Sequence, residues 1–163
     1  MDLTQLGLVL ADGAPEHEVL TRSAFNNRFL IPAGAADYEV AGVHTFEEPG
    51  RILSFFPHMH VRGSRFLYEL VAEGGAPEPL LWVPRYDFNW QIGYELDEPL
   101  RVAAGTRLRA TGWFDNSEGN PYNPDPGAEV RFGEQTYDEM MIGYFDWVPD
   151  RPIHAGERRV ASR

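Results

Sequence analysis

The sequence predicts an all-β protein, an antiparallel jelly-roll β-sandwich formed as a single domain. Three observations carry this expectation. The 16 glycines and 13 prolines are spread as punctuation between short apolar runs rather than gathered in a linker. Those runs recur at roughly ten-residue intervals, and several alternate apolar with polar positions, the period of a half-buried strand. No stretch has the periodicity of an amphipathic helix three turns long.

Taken in order, residues 6–11 (Leu-Gly-Leu-Val-Leu-Ala) are the first apolar run and are expected to form a strand. Strands follow at 38–46, 51–56, 65–72 and 80–83. The clearest alternation is at 107–114. There Leu108, Ala110 and Phe114 share one face, while Arg107, Arg109 and Thr111 share the other. Strands at 129–132 and 140–147 complete the set. On the last, Met140, Ile142 and Tyr144 lie on one face and Met141, Gly143, Phe145 and Trp147 on the other. Residues 73–79 read as a Gly/Pro/Glu turn. Residues 115–127 are dense in turn formers, and their oxygens lack the EF-hand spacing for Ca²⁺. No repeat or internal boundary divides the chain. It reads as one domain over 1–163, with a core from about 6 to 147 and a tail over 148–163.

A hydrophobic content of 43% with 13% aromatics marks a packed protein, not a disordered one. The formal charge of −11 makes nucleic acid and anionic membranes poor partners. The Arg158-Arg159 pair reads as part of a solvated tail. There is no cysteine, which excludes thiolate zinc sites, blue-copper centres, iron–sulfur clusters and cysteine nucleophiles. All 14 basic residues are arginine, which excludes Schiff-base and Walker-type lysines. Residues 1–5 lack the basic region and apolar stretch of a signal peptide. No run approaches the about 18 apolar residues of a transmembrane helix.

The chemistry concentrates in Phe55-Phe56-Pro57-His58-Met59-His60-Val61-Arg62-Gly63 and in Asp138-Glu139-Met140-Met141-Ile142-Gly143-Tyr144. On a strand, residues i and i+2 point the same way, so His58 and His60 project together with Met59 turned away. Two imidazoles and a thioether form a mixed N/S set that suits copper, above all Cu(I). Met140 and Met141 point opposite ways, so one can ligate while the other packs. Three protein ligands leave a coordination position open, as a catalytic or ligand-binding metal requires. The bland alternatives stand beside this: paired histidines that are only exposed or hydrogen-bonded, and a methionine that fills core.

An ordered series of motifs narrows the reading. It runs His58-x-His60-x-x-Gly63, Tyr86-Asp87-Phe88-Asn89-Trp90-Gln91, Ala104-Gly105-Thr106 and Asp115-Asn116-Ser117. It continues through Asn123-Pro124-Asp125-Pro126 and Gly133-Glu134-Gln135-Thr136-x-Asp138-Glu139-Met140-Met141. Over about residues 6–147 this resembles the C-terminal domain of the copper type II ascorbate-dependent monooxygenases, and most closely their bacterial branch. The family includes peptide-amidating and dopamine β-monooxygenases. The resemblance implies a jelly-roll module whose copper is held by His58, His60 and Met140, where O₂ binds and an organic substrate's C–H bond is hydroxylated. It implies ascorbate as reductant, and a second, N-terminal copper module that passes on electrons. It also suggests an exported or periplasmic protein.

Departures from the family pattern shape the expectation. The N-terminal module is missing, with 6–11 resembling the connecting strand that follows it, so the chain is expected to start at the module boundary. His17, His44 and His154 are scattered and read as surface or packing residues. Positions that bind peptide in the amidating enzyme are Phe56, Ile142 and Tyr144 here. Only the tyrosine is kept, so a peptide carboxylate is an unexpected substrate and Tyr144 is the expected substrate-facing group, with a half-buried structural tyrosine as its alternative. The segment 86–91 is expected to line the pocket, with Phe88 and Trp90 in the core. Two rival readings are a non-catalytic copper-binding or structural module and, more weakly, a cupin-like metal enzyme. The latter lacks its glutamate and third histidine at the expected places.

Overall fold

The computed structural model describes residues 3–152 apart from positions 11, 14 and 73. Its strands are β1 (Leu20–Asn26), β2 (Leu30–Ile31), β3 (Tyr38–Thr45), β4 (Gly50–Met59), β5 (Gly63–Val71), β6 (Glu78–Val83), β7 (Tyr94–Val102), β8 (Arg107–Phe114), β9 (Val130–Arg131) and β10 (Met141–Pro149). One four-stranded sheet has the order β1-β10-β4-β7, a second has β3-β8-β5-β6, and β2 and β9 form a small ribbon. Every ladder between these strands is antiparallel. The described residues contain no helix.

The two large sheets pack face to face because their inward positions are apolar at a two-residue period. From β10, Met141, Phe145 and Trp147 are buried; from β8, Leu108, Ala110 and Phe114; from β5, Phe66 and Tyr68. Phe55 of β4 meets Tyr68 across the interior, with ring centroids 4.6 Å apart. Close approach dictates residue size in places. A Cβ at Gly143 would lie 2.5 Å from the Ala110 Cβ and 2.8 Å from the Tyr68 ring.

Several expectations are corrected. Residues 6–10 are not a strand: they pair with nothing in the ladders, and Leu6, Leu8, Val9 and Leu10 are exposed. An apolar run becomes a strand only where a neighbour satisfies its backbone; position 11 of that run lies outside the described residues. β1 and β7 occupy segments that carried no strand expectation. β6 begins at Glu78, inside the expected turn, and β10 runs on to Pro149, with Val148 and Pro149 buried. His154 and the Arg158-Arg159 pair lie outside the described residues.

Within 115–127 the turn expectation describes the geometry. The side-chain oxygens of Asp115, Asn120, Asn123 and Asp125 each accept the backbone N–H two residues on. The loop is tied down by Asn116, which is fully buried. Its amide donates to the carbonyls of Pro32 and Ala128, both at 2.9 Å.

Candidate metal centre

The centre forms where β4 runs out of strand partners. A bulge at Leu53 shifts the phase of β4, so that Ile52 is buried and, three residues later, Phe55, Pro57 and Met59 face the interior. Phe56 and His58 therefore face the other side. The ladder to β7 ends at Phe55↔Tyr94, leaving one edge of β4 open beyond it. Pro57, which has no N–H to offer a neighbouring strand, sits in that stretch. In place of a strand, the buried Tyr86 hydroxyl accepts the Met59 N–H at 2.9 Å and donates to the Met59 carbonyl at 2.6 Å. The chain then turns, with Gly63 N–H donating to the His60 carbonyl at 3.1 Å. Glycine is required at 63, because a Cβ there would lie 2.7 Å from the Met59 Cβ and 2.9 Å from the Tyr86 ring.

The two histidines stand together. Their ring centroids are 5.3 Å apart and the rings are nearly perpendicular, at 85°. His58 Nδ1 is 2.7 Å from Gln91 Oε1, and the Gln91 amide nitrogen donates to the Phe88 carbonyl, which fixes the amide with its oxygen toward the ring. His60 Nδ1 is 3.3 Å from the Asp138 carbonyl. An acceptor at each Nδ1 selects the tautomer with its proton there and its lone pair at Nε2. Burial lowers the His60 pKa against the pull of the Asp138 carbonyl, and His58 lowers it further; this favours the neutral, ligating form.

Met141 pairs with Met59, and both are fully buried. A Cβ at Gly112 of β8 would lie 2.7 Å from Met59 Sδ and 3.1 Å from Met141 Cγ, so both side chains fill the interior above that glycine. Met140 is half-buried and immediately precedes β10. The register Ile142↔His58 and Met141↔Met59, carried one step further, puts residue 140 across from His60. The ladder itself stops at Met59.

Beyond that point the side chain of Glu139 takes over. Its buried carboxylate accepts His60 N–H at 2.8 Å, Arg62 N–H at 2.7 Å and Met140 N–H at 3.3 Å. Burial pushes this carboxyl up to about 7, with the N–H donors and Arg62 pulling the other way. The Arg62 guanidinium, also buried, donates to Asn116 Oδ1 at 2.8 Å and to the Tyr137 carbonyl at 2.9 Å. The motif segments at 58–63, 86–91, 115–123 and 135–140 thus converge on one place.

Tyr144 is half-buried with its ring centroid 6.3 Å from His58 and 6.4 Å from Phe56. A cavity of about 460 Å³ opens there, lined by Phe56, Tyr144, Ser54, Glu95, Thr21 and Asp146 among others. Phe88 is half-buried, 6.1 Å from the His60 ring. Trp90, expected in the core, is instead 71% exposed, since the loop turns it outward. His44 packs on Phe46 and Phe145, away from the centre.

Among the described residues no three His, Cys, Asp or Glu side chains cluster as a metal site. What stands together here is the two imidazoles, with the backbone of Met140 opposite His60 by extension of the register. Two imidazoles binding one ion through nitrogen at about 2 Å have centroids roughly 5 Å apart, so the ring spacing fits a shared ion. The residues that sequence reasoning did not single out are Gln91, Tyr86, Glu139 and Arg62 in their holding roles. For Gln91, Tyr86 and Glu139 the only signal was membership of the motif series, and Arg62 falls at one of its unspecified positions. The chain matches no family model and no curated protein. Among the described residues no helix is long and apolar enough to cross a membrane.

Proposed function

We propose that this chain is a jelly-roll copper module of an ascorbate-dependent monooxygenase, with His58, His60 and Met140 as copper ligands. The observation that carries the reading is the pair of anchored Nδ1 atoms. Both tautomers leave Nε2 as the donor, on adjacent rings on the side of the sheet away from Met59 and Met141. The mixed N/S donor set favours Cu(I). The strand order supports the topology. The eight long strands, counted in chain order, divide as 1-8-3-6 and 2-7-4-5, the arrangement of two interleaved Greek keys.

A copper ion held there supplies the one-electron redox chemistry that activates O₂. The net reaction converts a C–H bond and O₂ to an alcohol and water, consuming two electrons and two protons, with ascorbate as the electron source. Gln91 holds His58 in its ligating tautomer, and the Asp138 carbonyl does so for His60. Tyr144, whose ring centroid lies 6.3 Å from His58, also lines the neighbouring cavity with Phe56, and a small organic substrate would lie there.

Copper stoichiometry and EPR of the Cu(II) form test the proposal. The expected result is one copper per chain with nitrogen hyperfine structure, lost in His58→Ala/His60→Ala. Ascorbate-driven O₂ uptake by the loaded protein then separates catalysis from binding alone. Equal copper content in wild type and the double variant would sink the metal reading.

A further inference from the structure

Past Met59 and Met141 the strands β4 and β10 stop pairing. The reason lies in the backbone at 139. Glu139 N–H donates to the Arg131 carbonyl at 3.1 Å, and Gly133 N–H donates to the Glu139 carbonyl at 3.0 Å. Phe132 and Glu139 form a parallel bridge. The main chain entering β10 is therefore committed to the β9 side, and the N–H groups of His60 and Arg62 face it without a backbone acceptor. Left unmet, each buried N–H would forfeit its hydrogen bond to water with nothing in exchange.

We infer that Glu139 is a positioning residue for the candidate centre: its carboxylate replaces the missing strand rungs, holding the backbones of His60 and Met140 apart at a fixed separation. One oxygen takes His60 and Met140 together, and the other takes Arg62. The geometry needs both oxygens as acceptors and the full length of a glutamate side chain. Glutamine would turn an N–H₂ toward a backbone N–H, and aspartate is one methylene too short to span the gap. The buried Arg62 guanidinium supports the same turn from behind through Asn116 and the Tyr137 carbonyl. The inference rests on the copper reading only for the purpose of the separation, not for the existence of the wedge.

The test compares wild type with Glu139→Gln and Glu139→Asp in the 163-residue chain, reading backbone amide hydrogen exchange and Cu(I) affinity against a competing chelator. In folded variants, exchange at His60 and Arg62 should accelerate at least tenfold while Phe55 is unchanged, and Cu(I) dissociation constants should rise at least tenfold. Aspartate keeps the charge, so failure of Asp to rescue separates placement from electrostatics. Unchanged exchange at His60 and Arg62, or Cu(I) affinity within twofold of wild type, overturns the inference. Should neither variant fold, wild type decides: amides of His60 and Arg62 exchanging as fast as exposed loop amides overturn it, and slow exchange upholds it. If wild type binds no copper, the proposed function fails, and the exchange arm still judges the wedge.

Discussion

Met140 and Met141 are adjacent in sequence and chemically identical, yet their surroundings differ. Met141 is fully enclosed against Met59 and Gly112, and Met140 is half-buried at the end of the ladder beside His60. Met141→Ala should therefore lose about 2–5 kcal/mol of unfolding free energy. Met140→Leu, which conserves volume, should cost less than about 1.5 kcal/mol and selectively weaken Cu(I) binding. Urea denaturation and a Cu(I) competition assay on the two variants check both halves; the reverse pattern would reassign the ligand. His44 offers a different test. Burial, reinforced by Arg22, lowers its pKa below the ordinary 6.5, while Glu47 pulls the other way. The folded state thus prefers the neutral ring, whose stabilisation is complete above pH 6.5 and is lost as pH falls through the lower folded-state pKa. His44→Gln should lose less stability than wild type between pH 7.5 and 5.5, measured by urea unfolding at each pH. An equal loss in both proteins would contradict it.

At the scale of elements, β4 shows how one extra residue decides a site. With an uninterrupted two-residue period, burial of Ile52 would continue through Ser54, Phe56 and His58. The bulge at Leu53 reverses this and turns His58 out beside Tyr144. Deleting Leu53 should force either His58 into the core or Ile52 out of it. The expected outcome is loss of cooperative thermal unfolding or a drop of several kcal/mol in stability, and a variant as stable as wild type would show that the bulge is dispensable. The alternation within 107–114 was legible because the segment is half apolar with a clear period, and 140–147 was legible as a mostly apolar run of strand length. β1 and β7 were not. β1 is rich in polar residues, and β7 carries Pro99 with several charges. Both lie at sheet edges, where a proline and charged side chains are tolerated and useful against further pairing. The run at 6–10 fails in the opposite sense, apolar but without a partner strand among the described residues.

For the whole molecule, the sequence by itself determined the all-β class, through short alternating runs separated by glycine and proline. It also determined that His58 and His60 would project together, because a two-residue spacing on a strand admits little else. It excluded thiolate and lysine chemistry outright, since the chain has neither residue. Tertiary structure decided the rest. Which face the histidines occupy depends on a bulge that only the paired strands reveal. That β4 lies between β7 and β10, and that the first ladder ends at Phe55 and the second at Met59, follows from strand order, a long-range property with no local signal. So does the replacement of strand rungs by the Tyr86 hydroxyl and the Glu139 carboxylate. A hydrogen bond between residues 79 positions apart is dictated by where the backbone runs out of partners, and no spacing along the chain encodes that.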